Sequence, residues 1–477
     1  MDGITYDVRV YKTEARKNAK GAVTSYRVEW KVGGKRWKES LTGAAQADAF
    51  RSELMTAARR GEAFSLTTGR PVSWKREETR VSWYAFTLKY VDTKWPYVSP
   101  NHRRGIAEAL IDATEVLTTN ENTEVPREAI RAALRWAYSE RIRGIAASTD
   151  VQVITKWLGE NTVAMDEFGD QAEGAALARR ILDRISRTKD GTLAAANTTN
   201  RRRMVLNNAM EYACELGLVA ANPLRRVKWA KPRTLATVDP RAVINPEQAR
   251  RFLAAVRAHS ERGRRLVAFF ACMYYAALRP EEVSDLRREN LVSLPAKPAE
   301  FGEMRLTNAT PHSGGRWTDS GKTRERRALK HRPDGATRSV PIHPELVEIL
   351  RLHLAEYPTA PNGRIFVGPR GGHATDRHYF QLFRDARVAA FTKEEAASPL
   401  AQVPYSLRHA CVSTWLNAGV PAPQVAEWAG HSVDVLLRVY AKCIHGQQHH
   451  AMRRIWDATR PDAWGRIGDG QPYHRAP

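Results

Sequence analysis

Cysteine is scarce in this chain, with four in 477 residues. Cys214, Cys272, Cys411 and Cys443 are scattered, with no CxxC pair among them. A zinc site needs clustered ligands, and a disulfide framework does not suit a chain of this length. The four therefore read as reduced thiols in a cytoplasmic protein, and no metal or other cofactor is expected. Long apolar runs are missing too. No stretch approaches the roughly 18 uninterrupted apolar residues of a membrane span, and the opening "MDGITYDVRVYKTEARK" lacks the apolar core of a signal peptide. Acidic residues are the third shortage: 52 Asp and Glu stand against 75 Lys and Arg, a formal net charge of +23. Such an imbalance points to a polyanionic partner, either a nucleic acid or an anionic membrane surface. With no membrane segment in view, nucleic acid is the better fit.

The residues that are present fall into segments, and 43% hydrophobic content is enough for more than one core. In "SYRVEWKVGGKRWKESL", Tyr26, Val28, Trp30 and Val32 alternate with charged residues, the period of a half-buried strand. Gly33-Gly34 then supplies a hairpin turn, and "AAQADAFRSELMTAARRG" follows with helical spacing and a stop at Gly61. This predicts a small α+β domain over 1–75. Its Lys31, Lys35 and Arg36 suit strands laid in a DNA groove, or equally a solvated charged face. After the polar joint "TTGRPVSWKREETR", residues 80–222 are helical in pattern, with apolar positions near a 3.6-residue period. Asn222-Pro223 is expected to end the last helix. Arg201, Arg202 and Arg203 are expected at its start, where a phosphate would also feel the helix N-terminus. A basic, Pro-punctuated linker over 223–244 carries Lys228 and Lys231. Asn245-Pro246 opens a mostly helical segment to 460, with an irregular basic interlude at 301–340 that "ATRSVPI" closes as a short strand. Residues 461–477 read as a tail. The fold class is mainly α with small β elements.

Several polar residues in the third segment are unusual for their surroundings. Arg279 follows the apolar run "FFACMYYAAL" and is costly there without a partner. That partner is either Glu282, three residues on, or a phosphate held by two parallel bonds. Lys330 precedes a Pro-Asp-Gly turn, Arg408 and His409 sit in "YSLRH", His431 follows a glycine in "AGHS", and Tyr440 lies one helical turn past Leu436. Each has a structural explanation taken alone, Tyr440 as a core aromatic with its hydroxyl at the edge. Together they match what phosphodiester cleavage requires. A hydroxyl is a weak nucleophile, the transition state gains negative charge, and the leaving alkoxide needs a proton. Cationic donors meet the first two needs and a lysine meets the third.

The order R-x-x-E, K, L-R-H, G-H, Y resembles the tyrosine recombinase family, and within it phage-type integrases. "ALRPEEVSDLRRENL" and "LKHRPDGATRSVPIHPEL" are most similar to integrases of actinobacterial phages and mobile elements. The likeness covers about 245–445. Over 80–235 it is to core-binding domains in helical pattern, and over 1–70 to arm-binding domains in size and strand content only. The resemblance implies a site-specific DNA recombinase that forms a 3′-phosphotyrosine through Tyr440, to integrate or excise a phage or mobile element. Arg279 and Arg408 would hold the non-bridging oxygens, Lys330 would protonate the leaving oxygen, His431 would donate to the phosphate, and Glu282 would orient the site. Neither ATP nor a metal is implied, in keeping with the lack of a P-loop or a carboxylate cluster.

The implied partners are double-stranded DNA attachment sites, a homotetramer on DNA, a host DNA-bending protein and an excision directionality factor, all in the cytoplasm of a bacterial host. One position departs from the family pattern: the usual histidine three residues before the second arginine is Tyr405. A phenol titrates near about 10 rather than near neutrality, so Tyr405 is expected to donate a hydrogen bond or position Tyr440 without shuttling protons. Its alternative is simple packing. Three other functions are weighed: a resolvase or invertase without arm sites, a type IB topoisomerase, and a DNA-binding regulator in which these residues are merely structural.

Overall fold

Val28, Trp30 and Val32 do face one way. In the computed structural model they form the buried side of the strand Val23–Val32, over which the helix Ala44–Arg59 lays Ala47, Leu54 and Ala57. The structure describes residues 3–18, 22–74, 80–119, 125–233, 237–330, 332–368, 371–374, 376–443 and 448–459. Strand Val23–Val32 is central and wholly antiparallel to its neighbours. Val8–Val10 and Glu14–Lys17 pair with it, and so does Lys35–Leu41. The hairpin closes through Gly33 and Gly34 at φ +53° and +87°, a left-handed pair that glycine adopts without steric cost. On the outer face Arg9, Lys31 and Arg36 stand side by side across three strands. Lys31, Lys35 and Arg36 are all exposed, although Arg36 also pairs with Glu29 at 3.4 Å.

The polar joint after this sheet is less free than its composition suggests. Trp74 packs on Phe50, ring centroids 5.5 Å apart, and Trp30 donates its indole N–H to the Gly69 carbonyl. The segment through Trp74 thus completes the small core. Residues 75–79 of the joint lie outside the described residues.

Contacts divide the chain into two compact units, residues 1–97 with 105–231, and residues 98–104 with 232–477. The first holds the sheet and the helices Trp83–Lys94, Arg127–Ala137, Thr149–Glu160, Gln171–Ile185 and Ala196–Glu215. Apolar faces carrying Trp83, Phe86, Leu134, Phe168 and Ile181 close its core. A charged knot lies within it. Asp112, almost fully buried, accepts from Arg131 and Arg184 at 2.9 Å and pairs with Arg202 at 3.1 Å.

Three expectations for this part are corrected. The last long helix begins at Ala196, so Arg201, Arg202 and Arg203 stand in its second turn rather than at its N-terminus. Arg202 is committed to Asp112, and Arg203 stacks on Trp229 at 5.2 Å, which leaves Arg201 as the exposed member. The helix ends at Glu215 with left-handed Gly217, whereas Asn222 caps a further short helix, Pro223–Arg226. Pro223, Leu224 and Val227 of that turn are buried, so the start of the supposed linker belongs to the helical core. Lys228 and Lys231 are exposed beyond it.

The second unit is built on the helix Glu261–Tyr275, buried on nearly every side. Asn245 caps the preceding helix Pro246–His259 through a reciprocal pair of bonds with Gln248. Phe252, Phe269, Phe270 and Phe383 interlock between them and the helix Asp376–Ala390. The interlude at 301–340 is more ordered than expected. Gly302–Leu306 is the middle strand of an antiparallel sheet, between Leu291–Ser293 and the anticipated strand Arg338–Ile342. The helices Tyr405–Asn417, Ala422–Ala429 and Val433–Tyr440 follow. All four cysteines are free thiols, three of them buried. Among the described residues no helix is long and apolar enough to cross a membrane. The expected tail, 461–477, lies outside the described residues.

Candidate active site

The buried helix Glu261–Tyr275 stops at Ala276, and Ala277 turns the chain with a left-handed φ of +51°. That turn delivers Arg279 to the start of the short helix Pro280–Asp285. Glu282, one turn on, accepts the Arg279 backbone N–H at 2.8 Å and its Nη1 at 2.7 Å. The local partner weighed from sequence is therefore real. Glu282 also accepts Nη1 and Nη2 of Arg338 at 2.9 and 2.7 Å, a two-bond clamp from the neighbouring strand. Burial pushes the Glu282 carboxyl up, but Arg338 and Arg279 outweigh it and hold the group well below the usual carboxylate range.

Arg408 is fully buried in the helix Tyr405–Asn417. Its Nη1 donates to the Ala277 carbonyl, and its Nη2 donates to the Ala429 carbonyl and to Nε2 of His431, the last at 2.9 Å. The two arginine loops are thus sewn to one another, since Nη2 of Arg279 donates to the next carbonyl, Gly430, at 2.9 Å. Gly430 ends its helix at φ +64°, and a Cβ there would lie 2.4 Å from Nη1 of Arg338. Only glycine fits.

The bond to Arg408 fixes the state of His431. A guanidinium only donates, so Nε2 of His431 offers its lone pair and Nδ1 carries the hydrogen. Burial, then the Arg408 charge, lowers this imidazole to about 3, so it is neutral at physiological pH. Its Nδ1 is buried without a hydrogen-bond partner among the described residues. A buried donor left unmade costs about 1–3 kcal/mol, which marks it as a group waiting for an acceptor.

Tyr440 ends the helix Val433–Tyr440, 0% exposed. Burial pushes its phenol well above the ordinary value, with Arg408 pulling the other way. Its hydroxyl lies 2.8 Å from Nδ1 of His409, and its ring lies 6.3 Å from that of His431. Tyr405 meets His409 edge-on at 5.0 Å, and the Arg408 guanidinium sits 5.9 Å from its ring centroid. Tyr405 itself begins the helix.

Of the residues chosen from sequence, Arg279, Glu282, Arg408, His431, Tyr440 and Tyr405 are brought together. Lys330 is not. It stands exposed on the turn after the strand Arg327–Ala328, lining a cleft with Glu281 and Arg327. Two members of the cluster were missed. Arg338 lay unremarked in the strand motif "ATRSVPI", although an arginine placed to point inward from a strand is itself a signal. His409 stands beside Arg408 in "YSLRH", where the sequence alone assigns it no role.

Every one of these residues falls within 242–444, the segment that matches the phage integrase family. That segment is a tyrosine recombinase domain of the phage-integrase type. The chain is similar to the tyrosine recombinase XerD of Ralstonia nicotianae, 25% identical over 317 residues that span 63% of this chain and 85% of the relative. Among solved structures it is similar to the Tn1549 transposon integrase in complex with a circular intermediate DNA. There the identity is 16%, with 69% of this chain and 99% of the other covered, at a TM-score of 0.46. A lambda integrase dimer bound to a COC′ core site covers 96% of this chain and 97% of its own chain, at 11% identity and a TM-score of 0.41.

Proposed function

We propose that this protein integrates or excises a phage or mobile element by cutting and rejoining double-stranded DNA through Tyr440. The observation that carries the reading is the gathering of cationic and neutral donors beside one tyrosine hydroxyl. Arg279 and Arg408 supply fixed positive charge, and His431 supplies an unused Nδ1–H. A scissile phosphate would accept from all three as its non-bridging oxygens gain charge.

In the reaction, the Tyr440 oxygen attacks phosphorus, the bond to the 5′ oxygen breaks, and a 3′-phosphotyrosine and a 5′-hydroxyl result. The phosphodiester energy stays in the protein–DNA link, so the 5′-hydroxyl of a partner duplex can reverse the step. Lys330 would give the departing oxygen its proton. Its exposed turn must then close on the DNA, because no hydrogen bond or ion pair ties it to the cluster among the described residues. Glu282 and Arg338 orient Arg279. Exchange between two duplexes breaks four strands, and one tyrosine per chain then calls for four chains. A homotetramer on its attachment sites follows, in the cytoplasm beside the bacterial chromosome. A host bending protein and an excision directionality factor fit the same scheme as further partners. The exposed row of Arg9, Lys31 and Arg36 would serve arm-type DNA, with Lys228 and Lys231 near the core site.

The test is covalent trapping on a nicked core site taken from the junctions of an integrated element. Wild-type protein should accumulate a protein–DNA adduct. Tyr440→Phe should bind the duplex with similar affinity and form none, because only the nucleophilic oxygen is lost. An adduct of normal yield in Tyr440→Phe would sink the assignment.

A further inference from the structure

A nucleophilic phenol must lose its proton, and few of the groups around Tyr440 can accept one. Glu282 is bonded through both oxygens to Arg279 and Arg338. His431 has already offered its single lone pair to Arg408, and its other nitrogen carries hydrogen. Lys330 is exposed and unconnected to the cluster among the described residues, and as an ammonium it is a donor. Tyr405 is a phenol like the nucleophile and packs by its ring. What remains is His409, whose Nδ1 lies 2.8 Å from the Tyr440 oxygen in the one hydrogen bond that hydroxyl makes among the described residues.

We propose that His409 is a catalytic residue, the general base that takes the Tyr440 proton during attack and returns it during religation. The inference rests on Tyr440 being the nucleophile. The buried hydroxyl needs an acceptor, and Nδ1 is the acceptor in reach, so the hydroxyl donates and the imidazole carries its own hydrogen on Nε2. The fold holds this pair in register. Tyr405 and His409 are four residues apart on one helix, hence on one face, and the edge-on Tyr405 ring fixes the plane of the imidazole. Burial and the adjacent Arg408 lower His409 to about 4, which keeps its lone pair available at neutral pH.

The O–H bond of Tyr440 breaks and its proton joins Nδ1, while the Oη–P bond forms and the P–O5′ bond breaks. The departing oxygen takes a proton from Lys330. A weak base facing a phenol of raised pKa does not deprotonate it at rest. Transfer accompanies bond formation, as phosphorus draws charge from the oxygen and the phenolic proton becomes acidic. Religation runs the same path backwards, with the imidazolium protonating the departing phenol.

The experiment is single-turnover adduct formation on the nicked core site, with DNA affinity and thermal melting measured alongside. His409→Asn keeps an acceptor near the Nδ1 position but cannot take a proton, and His409→Ala opens space for a free base. Both should lose about a hundredfold or more in cleavage rate, at unchanged DNA affinity. Added imidazole should restore part of the His409→Ala rate in proportion to its neutral form, which a merely structural role would not produce. If His409→Ala melts too early to assay, His409→Asn alone decides. A wild-type rate in His409→Asn overturns the proposal while leaving Tyr440→Phe inactivity, and so the nucleophile, intact. Faster cleavage in His409→Ala also overturns it, because the bond would then be a restraint on the hydroxyl. An adduct in Tyr440→Phe instead removes the reading on which the proposal stands.

Discussion

Replacing Arg338 by methionine should be among the most damaging single changes in the second unit, though this residue would never touch DNA. The Arg338 side chain is 1% exposed and so is its partner Glu282, and two bonds of 2.9 and 2.7 Å join them. Methionine fills much the same space, so the loss is electrostatic. Breaking a buried pair from one side costs up to about 3–5 kcal/mol, and Glu282 would be left with Arg279 as its one remaining ion-pair partner among the described residues. For a unit of this size each kcal/mol lowers Tm by about 2–4 °C, so a fall on the order of ten degrees is expected. The pH dependence distinguishes this from lost packing. The Glu282 carboxyl is depressed below its ordinary 4.5 in the fold, so its stabilisation is present above that pH and is lost as pH falls. Removing Arg338 raises the folded value, hence the gap between wild type and Arg338→Met should be full at pH 7 and shrink below about pH 4.5. Glu282→Gln combined with Arg338→Met should cost less than the two single changes added, since the two residues interact directly and only Arg279 is then left without its carboxylate. Denaturant melts across pH supply the assay. A loss under about 1 kcal/mol at pH 7, or a gap that does not narrow in acid, would refute the reasoning.

Gly430→Ala should cost about 1–2 kcal/mol from the left-handed backbone alone, and more as Arg338 moves off Glu282. Trapping should show a cleavage defect larger than the change in melting explains. Asp112→Asn should destabilise the first unit by less than the about 3–5 kcal/mol of a fully stranded buried charge, because Arg131 and Arg184 keep Glu115 as a partner while Arg202 loses its ion pair; thermal melting should show an early transition, with adduct chemistry on the remaining folded protein unchanged. Tyr405→Phe keeps the ring that steadies His409 and removes only a donor. A loss of about tenfold in cleavage at constant DNA affinity corresponds to one lost transition-state bond, whereas a wild-type rate means the ring merely packs.

The hairpin, the capped helix at Pro246 and the core aromatics were legible because local rules decided them: period-two alternation, a Gly-Gly turn, an Asn-Pro cap. Arg279, Arg408, His431 and Tyr440 were legible by residue type and order. Their bonding was not, because it is made by elements far apart in sequence. Arg408 reaches Ala277 and His431 across stretches no periodicity connects. Arg338 was hidden for a related reason, as its importance lies in facing Glu282 across a strand and a helix. The triplet Arg201–Arg203 shows the opposite error. Three arginines in a row looked like one feature, but helical geometry sends each to a different environment, and Asp112 claims the middle one.

The charge balance of the cluster explains why such polar residues can lie so deep. Arg279, Arg338 and Arg408 bring three positive charges, Glu282 brings one negative charge, and both imidazoles are neutral. Burying charge without a partner is costly, and a fold selected only for stability would replace these groups with apolar ones. Backbone carbonyls of Ala277, Ala429 and Gly430 hold the guanidiniums in place meanwhile, as dipoles rather than full charges. Dipoles fix geometry without cancelling the field. A phosphate entering here would meet donors already oriented, with excess positive charge that water has been kept from screening. Neutral imidazoles serve the same end. A protonated His409 would repel Arg408 and have no lone pair for Tyr440, so the burial that makes the arginines expensive also keeps the histidine able to accept a proton.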